Sequence, residues 1–244
     1  MVNCFFQYSL LKMRLISRAF NSLKITGRCI LCDDMGQPGL DICQGCEAQL
    51  PRLGHHCQHC ALPLPNPDQR LCGHCQRLPP PFQRVVAIYY YQYPVAELIG
   101  GFKYNKQLSY GKVLCKTSLK GFVSAYSGDM PDIITATPLH WRRQLKRGFN
   151  QSEHIATYLA KALDIRSLPL LKRSQFTPPQ QQLDARKRRH NLKRAFVATT
   201  TLEGQCVAVV DDVMTTGATA TEMSKVLLKA GAGEVHLWVL ARTP

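Results

Sequence analysis

Four apolar residues, Val207-Ala208-Val209-Val210, run into the adjacent acids Asp211 and Asp212 and, after Val213 and Met214, into Thr215-Thr216-Gly217-Ala218-Thr219. A short apolar run with β-branched residues next to the acids reads as a buried strand of a parallel sheet. The acids then arrive at the strand's carboxyl end, where open α/β sheets bind their ligands. A helical pattern follows, with Met223, Val226, Leu227 and Ala230 on one face. A hydroxyl- and glycine-rich loop opening a helix offers backbone N–H groups to a phosphate, and the helix dipole favours the negative charge. Gly217 lets the backbone close round the anion because it lacks a Cβ. Ionised carboxylates beside such a loop suit a polyhydroxylated, metal-bound ligand. The plainer alternative is an ordinary strand-loop-helix with a surface acid pair, and the completeness of the loop counts against it.

The second constraint is cysteine spacing. Eight of eleven cysteines form four Cys-x-x-Cys pairs: Cys29/Cys32, Cys43/Cys46, Cys57/Cys60 and Cys72/Cys75. Each pair bends into a knuckle that points two thiolates at one metal, so four knuckles make two closed tetrahedral sites. Sequential pairing looks like a double zinc ribbon, and crossed pairing stays open. All-sulfur ligation favours two structural Zn sites, with an iron–sulfur cluster as the lesser alternative. His55, His56, His59 and His74 read as solvated or outer residues, since eight sulfurs already complete two sites. A segment this small buries little core, so metal is expected to supply most of its folding free energy. Clustered metal knuckles imply a reducing compartment, and the expectation is a cytoplasmic protein.

With 244 residues the chain has room for one large domain and a small module. Its net charge of +15 implies attraction for polyanions without choosing among phosphates, nucleic acid and anionic lipid. No run approaches the ~18 apolar residues of a membrane span. Residues 1–26 form a basic N-terminal extension with a weak amphipathic pattern (Leu11, Leu15, Phe20, Leu23), broken by Lys12, Arg14 and Arg18 and lacking a signal-peptide cleavage site. Residues 27–78 are expected to form the ribbon module and residues 79–244 an α/β domain, with Leu78-Pro79-Pro80-Pro81-Phe82 as a stiff linker between them.

Within that domain, Arg84 to Tyr91, Asp132 to Pro138, Ser167 to Leu171 and Glu234 to Leu240 read as strands. Tyr93 to Tyr104, Tyr110 to Phe122 and the stretch through Ile155, Leu159 and Leu163 read as helices. The alternation indicates a mostly parallel sheet with helices on both faces. Tyr89, Tyr90, Tyr91 and Tyr93 are read as core and sheet surface ahead of a base-stacking platform. Arg142, Arg143, Lys146 and Arg147 precede Gly148 in a basic turn suited to phosphate oxygens. Residues 172–194, rich in Gln and Arg and poor in apolar periodicity, suit a lid over a ligand or a grip on a nucleic-acid backbone.

The run from Val207 to Thr219 resembles the phosphoribosyl pyrophosphate (PRPP) signature of type I phosphoribosyltransferases. Four knuckles, then Arg147-Gly148-Phe149-Asn150-Gln151, then Thr177-x-x-Gln180-x-x-Leu183 with Arg188 and Asn191, then the acid pair and threonine loop, together resemble the ComF/GntX family over roughly residues 27–243. The extension before Cys29 is longer than that family's usual lead-in. The resemblance implies a type I phosphoribosyltransferase-like fold and a role in handling extracellular DNA, for competence or as a nutrient. It implies that Asp211 and Asp212 hold ribose hydroxyls, with Mg²⁺ arriving on PRPP, and that Thr215, Thr216, Gly217, Ala218 and Thr219 cradle the 5-phosphate. Arg142, Arg147 and Arg188 are the pyrophosphate candidates, Arg188 counted with the two acids as catalytic. Two functions follow as expectations: a DNA-handling factor whose ribbons and basic loops bind single-stranded DNA and meet DNA-uptake proteins, or a Mg-dependent transferase acting on a base or amine. The sequence names no acceptor.

Overall fold

The structure is a computed structural model that describes residues 26–174 and 195–244. The expected N-terminal amphipathic helix, Arg188 and most of the 172–194 segment lie outside the described residues. The chain packs into two compact units that divide between Gln49 and Leu50. The boundary expected at 78/79 separates metal ligands from sheet, whereas the packing divides the chain one cysteine tetrad earlier.

The first unit contains a small antiparallel ribbon of β1 (Thr26–Arg28) and β2 (Met35–Pro38), followed by the short helix α1 (Gln44–Ala48). In the second unit, helix α2 (Gly73–Arg77) belongs to the second tetrad. The sheet comprises β3 (Arg84–Tyr90), β4 (Ile133–Ala136), β5 (Arg166–Ser167), β8 (Cys206–Met214) and β9 (Glu234–Arg242). Its order is β3-β9-β8-β4-β5 and every pairing is parallel. The helices are α3 (Val95–Tyr104), α4 (Leu108–Ser124), α5 (Trp141–Arg147), α6 (Gln151–Leu163) and α7 (Ala218–Lys229).

Strand periodicity explains the layers. Val85, Ala87, Val207, Val209, Val235, Leu237 and Val239 share one face and pack with Met223 and Leu227 of α7. The alternate residues face α4 and α6, and Trp238 stacks on Phe122 with ring centroids 5.1 Å apart. Both faces of the parallel sheet are covered, which is why its central strands are apolar on both sides.

Two segments depart from expectation. The span read as one strand from Ser167 to Leu171 is split into β5 and a separate strand β6 (Leu171–Arg173), because Pro169 has no N–H to donate to a ladder. β6 pairs antiparallel with β7 (Phe196–Ala198), so Lys172 and Arg173, assigned to the lid, belong to a strand at its base. The basic turn before Gly148 is itself the helix α5.

The second tetrad is tied to the sheet. Leu53 N–H donates to the Ile88 carbonyl and Tyr90 N–H to the Pro51 carbonyl, both at 2.8 Å, so residues 51–53 flank the edge strand β3. Ala61, beside Cys60, joins the main core. Arg242, 6% exposed at the end of β9, donates from Nε to the Cys60 carbonyl at 3.0 Å and from Nη1 to the Met214 carbonyl at 3.3 Å.

Candidate functional site

β8 delivers Asp211 and Asp212 to the carboxyl end of the sheet, as its apolar run requires. Asp211 Oδ1 accepts from Ser152 Oγ at 2.8 Å and from the Asp212 N–H at 2.9 Å. Asp212, 6% exposed, pairs through Oδ2 with Lys103 Nζ at 2.8 Å. Burial pushes the Asp211 carboxyl up to about 6, and the charge of Asp212 adds to that while Lys103 opposes it. Burial works to lower the Lys103 ammonium, but the carboxylates of Asp212 and Asp211 reverse it and the net direction is up.

The threonine loop follows. Gly217 has φ +74°, and a Cβ there would stand 2.7 Å from Met214 Cε. It forms the N-terminal cap of α7, and Thr216 Oγ1 accepts from Ala218 N–H at 3.4 Å. Thr215 and Thr216 are exposed, and all five loop residues line a cavity of about 50 Å³ together with Asp211. A roomier cavity of about 600 Å³ runs along edge strand β3 between Arg52, His59 and Ala125, and neither the acids nor the loop line it.

The turn containing Arg147-Gly148-Phe149-Asn150-Gln151 works as a hinge of caps. Gly148, at φ +83°, ends α5 by donating to the Gln144 carbonyl at 2.7 Å. Asn150 Oδ1 accepts from Ser152 N–H to start α6, and Asn150 Nδ2 donates to the Thr137 carbonyl at the end of β4 at 3.0 Å. Phe149 packs against Phe102 of α3. These contacts hold Ser152 against Asp211 and bring α3, with Lys103, over the acids.

The arginines divide. Arg142 is exposed and lies over the Trp141 ring, and Arg147 lies over Tyr104 while donating to Gln151 Oε1 at 3.2 Å. Arg173 is the guanidinium whose electrostatics reach Asp211, and Arg143 acts on Arg173. Burial pushes both down, Arg147 adds to this at Arg143, and the charge of Arg143 helps bring Arg173 to about 10, with Asp211 partly opposing. Sequence reasoning passed over Lys103 and Ser152. A lone cation closing the apolar helix Val95–Tyr104 was the available signal for Lys103. The helix-capping pattern after Gly148 was the signal for Ser152.

The knuckles pair sequentially. Cys29, Cys32, Cys43 and Cys46 form one group and Cys57, Cys60, Cys72 and Cys75 the other, each with its sulfurs within 4.8 Å of one another. A tetrahedron of sulfurs about 2.3 Å from zinc has edges of about 3.8 Å. Cys32 to Cys43 and Cys60 to Cys72 both measure 3.7 Å. Cys46 and Cys75 N–H groups donate to Cys43 and Cys72 Sγ at 3.4 Å, bending each knuckle round the ion's position. Burial raises the Cys29 and Cys57 thiols, but backbone N–H donors outweigh it and bring them down to about 6 and about 7. Among the described residues no histidine joins either tetrad: His55 Nε2 bonds the Gln69 carbonyl and His56 Nδ1 the Gly54 carbonyl. Among the described residues no helix is long and apolar enough to cross a membrane.

Residues 25–76 match the family model of the double zinc ribbon domain. The chain is similar to the DNA utilization protein YhgH of Salmonella typhimurium, with 34% identity over 91% of this chain and 99% of that one. It is similar to competence protein F of Haemophilus influenzae, with 35% identity over 88% and 96%. Among solved structures it is similar to a glutamine phosphoribosylpyrophosphate amidotransferase from B. subtilis, with 23% identity and a TM-score of 0.34 over 53% of this chain; the match spans 24% of that longer protein. With identity of 34–35% along nearly the full length of both relatives, and two cysteine tetrads within a double zinc ribbon match ahead of the parallel sheet, the chain belongs to the ComF/GntX family of competence and DNA-utilisation proteins.

Proposed function

We propose that this chain is a DNA-handling factor whose phosphoribosyltransferase-like domain binds PRPP or a related phosphorylated ribose, and whose ribbons and basic surface bind single-stranded DNA. The observation that carries the ligand half is the junction at the end of β8, where two held carboxylates adjoin a threonine-glycine loop that opens α7. In this reading Asp211 and Asp212 take the ribose hydroxyls. The N–H groups and hydroxyls of Thr215, Thr216, Gly217, Ala218 and Thr219 take the 5-phosphate. Mg²⁺ bound to the pyrophosphate would offset its charge beside Asp211 and Asp212. Arg142, Arg147 and Arg188 remain candidates for the pyrophosphate, joined by Arg173 because its electrostatics reach Asp211. Lys103 holds the acid pair in place until the ligand does so. The DNA half is supported by the net charge of +15 and by relatives named for competence and DNA utilization.

Calorimetric titration of Mg²⁺-PRPP into the zinc-loaded protein tests the ligand half. Binding by the wild type and its loss in Asp211→Asn/Asp212→Asn is the expected result, and no binding by a folded wild type sinks it. Fluorescence anisotropy with a labelled single-stranded oligonucleotide tests the DNA half. Submicromolar affinity should fall with salt at a slope of about −0.7 per phosphate neutralised. Micromolar or weaker binding at low salt would remove it. Transfer of phosphoribose to a base or amine is the second reading, favoured by the complete acid-loop pair, and it requires pyrophosphate release with some acceptor.

A further inference from the structure

Cys206, Glu234 and His236 form a third ligand group, at the end of the sheet opposite the phosphate-type loop. Cys206 opens β8 and stands directly across from Glu234, the first residue of β9, while His236 pairs with the next-but-one residue Ala208. In a parallel sheet, partners in register and residues two apart point to the same face, so all three side chains emerge together at the strands' amino ends. Their sulfur, nitrogen and oxygen atoms lie within 4.8 Å of one another.

We infer that this cluster is a third metal site, a zinc site with three protein ligands and one position left for water or an outside ligand. The chemistry of the set fits: thiolate, imidazole and carboxylate are the three ligand types zinc accepts, and three protein ligands plus an open position is the pattern of exchangeable sites. The spacing fits too. Zinc bonds of about 2.0–2.1 Å to nitrogen and oxygen and about 2.3 Å to sulfur give tetrahedral edges of about 3.3 Å for N···O and about 3.5 Å for N···S. His236 Nε2 lies 3.1 Å from Glu234 Oε2 and 3.8 Å from Cys206 Sγ. The sulfur also lies 3.6 Å from Nδ1, so it stands over the ring, and an ion bound in the ring plane at Nε2 would require it to shift toward that nitrogen.

The surroundings already hold the imidazole as a metal ligand is held. His236 Nδ1 bonds Tyr126 Oη at 2.9 Å, and Tyr126 Oη accepts from Trp238 Nε1 at 2.8 Å. This outer chain fixes the ring and leaves Nε2 on the side of the carboxylate, the arrangement that orients metal-bound histidines. Glu234 is exposed and gives the ion an entry path. Asp132, which accepts from the Cys206 N–H at 2.8 Å, adds a second negative group close by. Arg84 is the neighbouring cation, and its guanidinium is engaged by the Ala125 carbonyl and the Tyr126 ring.

The test is stoichiometric and uses the full-length protein. Equilibrated in a zinc buffer that holds the free ion in the micromolar range, the wild type should carry three zinc per chain, one for each ligand group, and Cys206→Ser and His236→Gln two. A wild-type count of two overturns the inference, as does a third zinc that persists in Cys206→Ser, because the ion would then sit elsewhere. Cobalt added after zinc has filled the two tetrads gives a readout on the wild type alone. A thiolate-to-cobalt charge-transfer band with four-coordinate visible bands supports the site, and cobalt bound without the thiolate band overturns it.

Discussion

At Asp211, burial and the neighbouring Asp212 raise the carboxyl from 3.8 to about 6. Between those two values the folded chain holds a proton that the unfolded chain releases, so this group favours the folded state at low pH and that contribution is lost as pH rises through about 6. Asp211→Asn keeps an oxygen to accept from Ser152 but removes the charge. It should therefore stabilise the protein by about 1–3 kcal/mol at pH 7, with the gain shrinking toward pH 4, while abolishing Mg²⁺-PRPP binding. Urea unfolding of variant and wild type at both pH values checks this. A variant less stable at pH 7 would mean that Lys103 stabilises the ionised pair more than burial disfavours it. The acids themselves were legible because a local run of residues specifies them. Lys103 was not, because it reaches Asp212 from a helix 109 positions earlier and no local pattern records that meeting.

Among the elements, the loop between β8 and α7 depends on one residue in a left-handed conformation. Gly217→Ala places a Cβ where φ is +74°, which costs an L-residue about 1–2 kcal/mol, and presses on the end of the flexible Met214 side chain. The expected outcome is a stability loss of about 1 kcal/mol by thermal unfolding and a weakening of Mg²⁺-PRPP binding of about tenfold by calorimetry. Unchanged affinity would show that the loop backbone does not shape the ligand site. The strand-loop-helix was readable because apolar run, acids, glycine and helical face follow one another without interruption. Helix α5 was read as a basic turn because seven residues with four cations show no apolar stripe, although its stop at Gly148 and the cap at Asn150 were both in the sequence. The strand pair β6/β7 was missed because its members are three residues each and their pairing spans a long insertion.

At the scale of the molecule, the second tetrad belongs to the same compact unit as the sheet. The double zinc ribbon match spans both tetrads, and metal spacing carries no information about packing partners, so the sequence did not show that the second tetrad packs with the sheet. A charged residue at the end of the apolar strand β9 was the clue that something polar waited beyond it. Cys57→Ala/Cys60→Ala should speed amide exchange along β3 and β9 more than Cys43→Ala/Cys46→Ala does, measured by mass spectrometry on the full chain. Equal effects would mean that the bonds from residues 51–53 and from Arg242 contribute little.

Arg242 gives that arrangement a thermodynamic meaning. One guanidinium holds the carbonyl of the metal ligand Cys60 at one side and the carbonyl of Met214, immediately before the threonine loop, at the other. Order at either end restricts the same side chain, so the expected outcome is that zinc at the knuckle and a phosphorylated ligand at the loop each favour the other. Such linkage is reciprocal: the factor by which zinc tightens a phosphorylated ligand is the factor by which that ligand tightens zinc. Chelator competition for the second-tetrad zinc, run with and without Mg²⁺-PRPP and repeated in Arg242→Met, measures that factor. Zinc held more tightly with Mg²⁺-PRPP in the wild type but not in Arg242→Met is the expected result, so that the metal would be retained best while the ligand is abundant; equal retention in both would mean that this side chain carries no coupling.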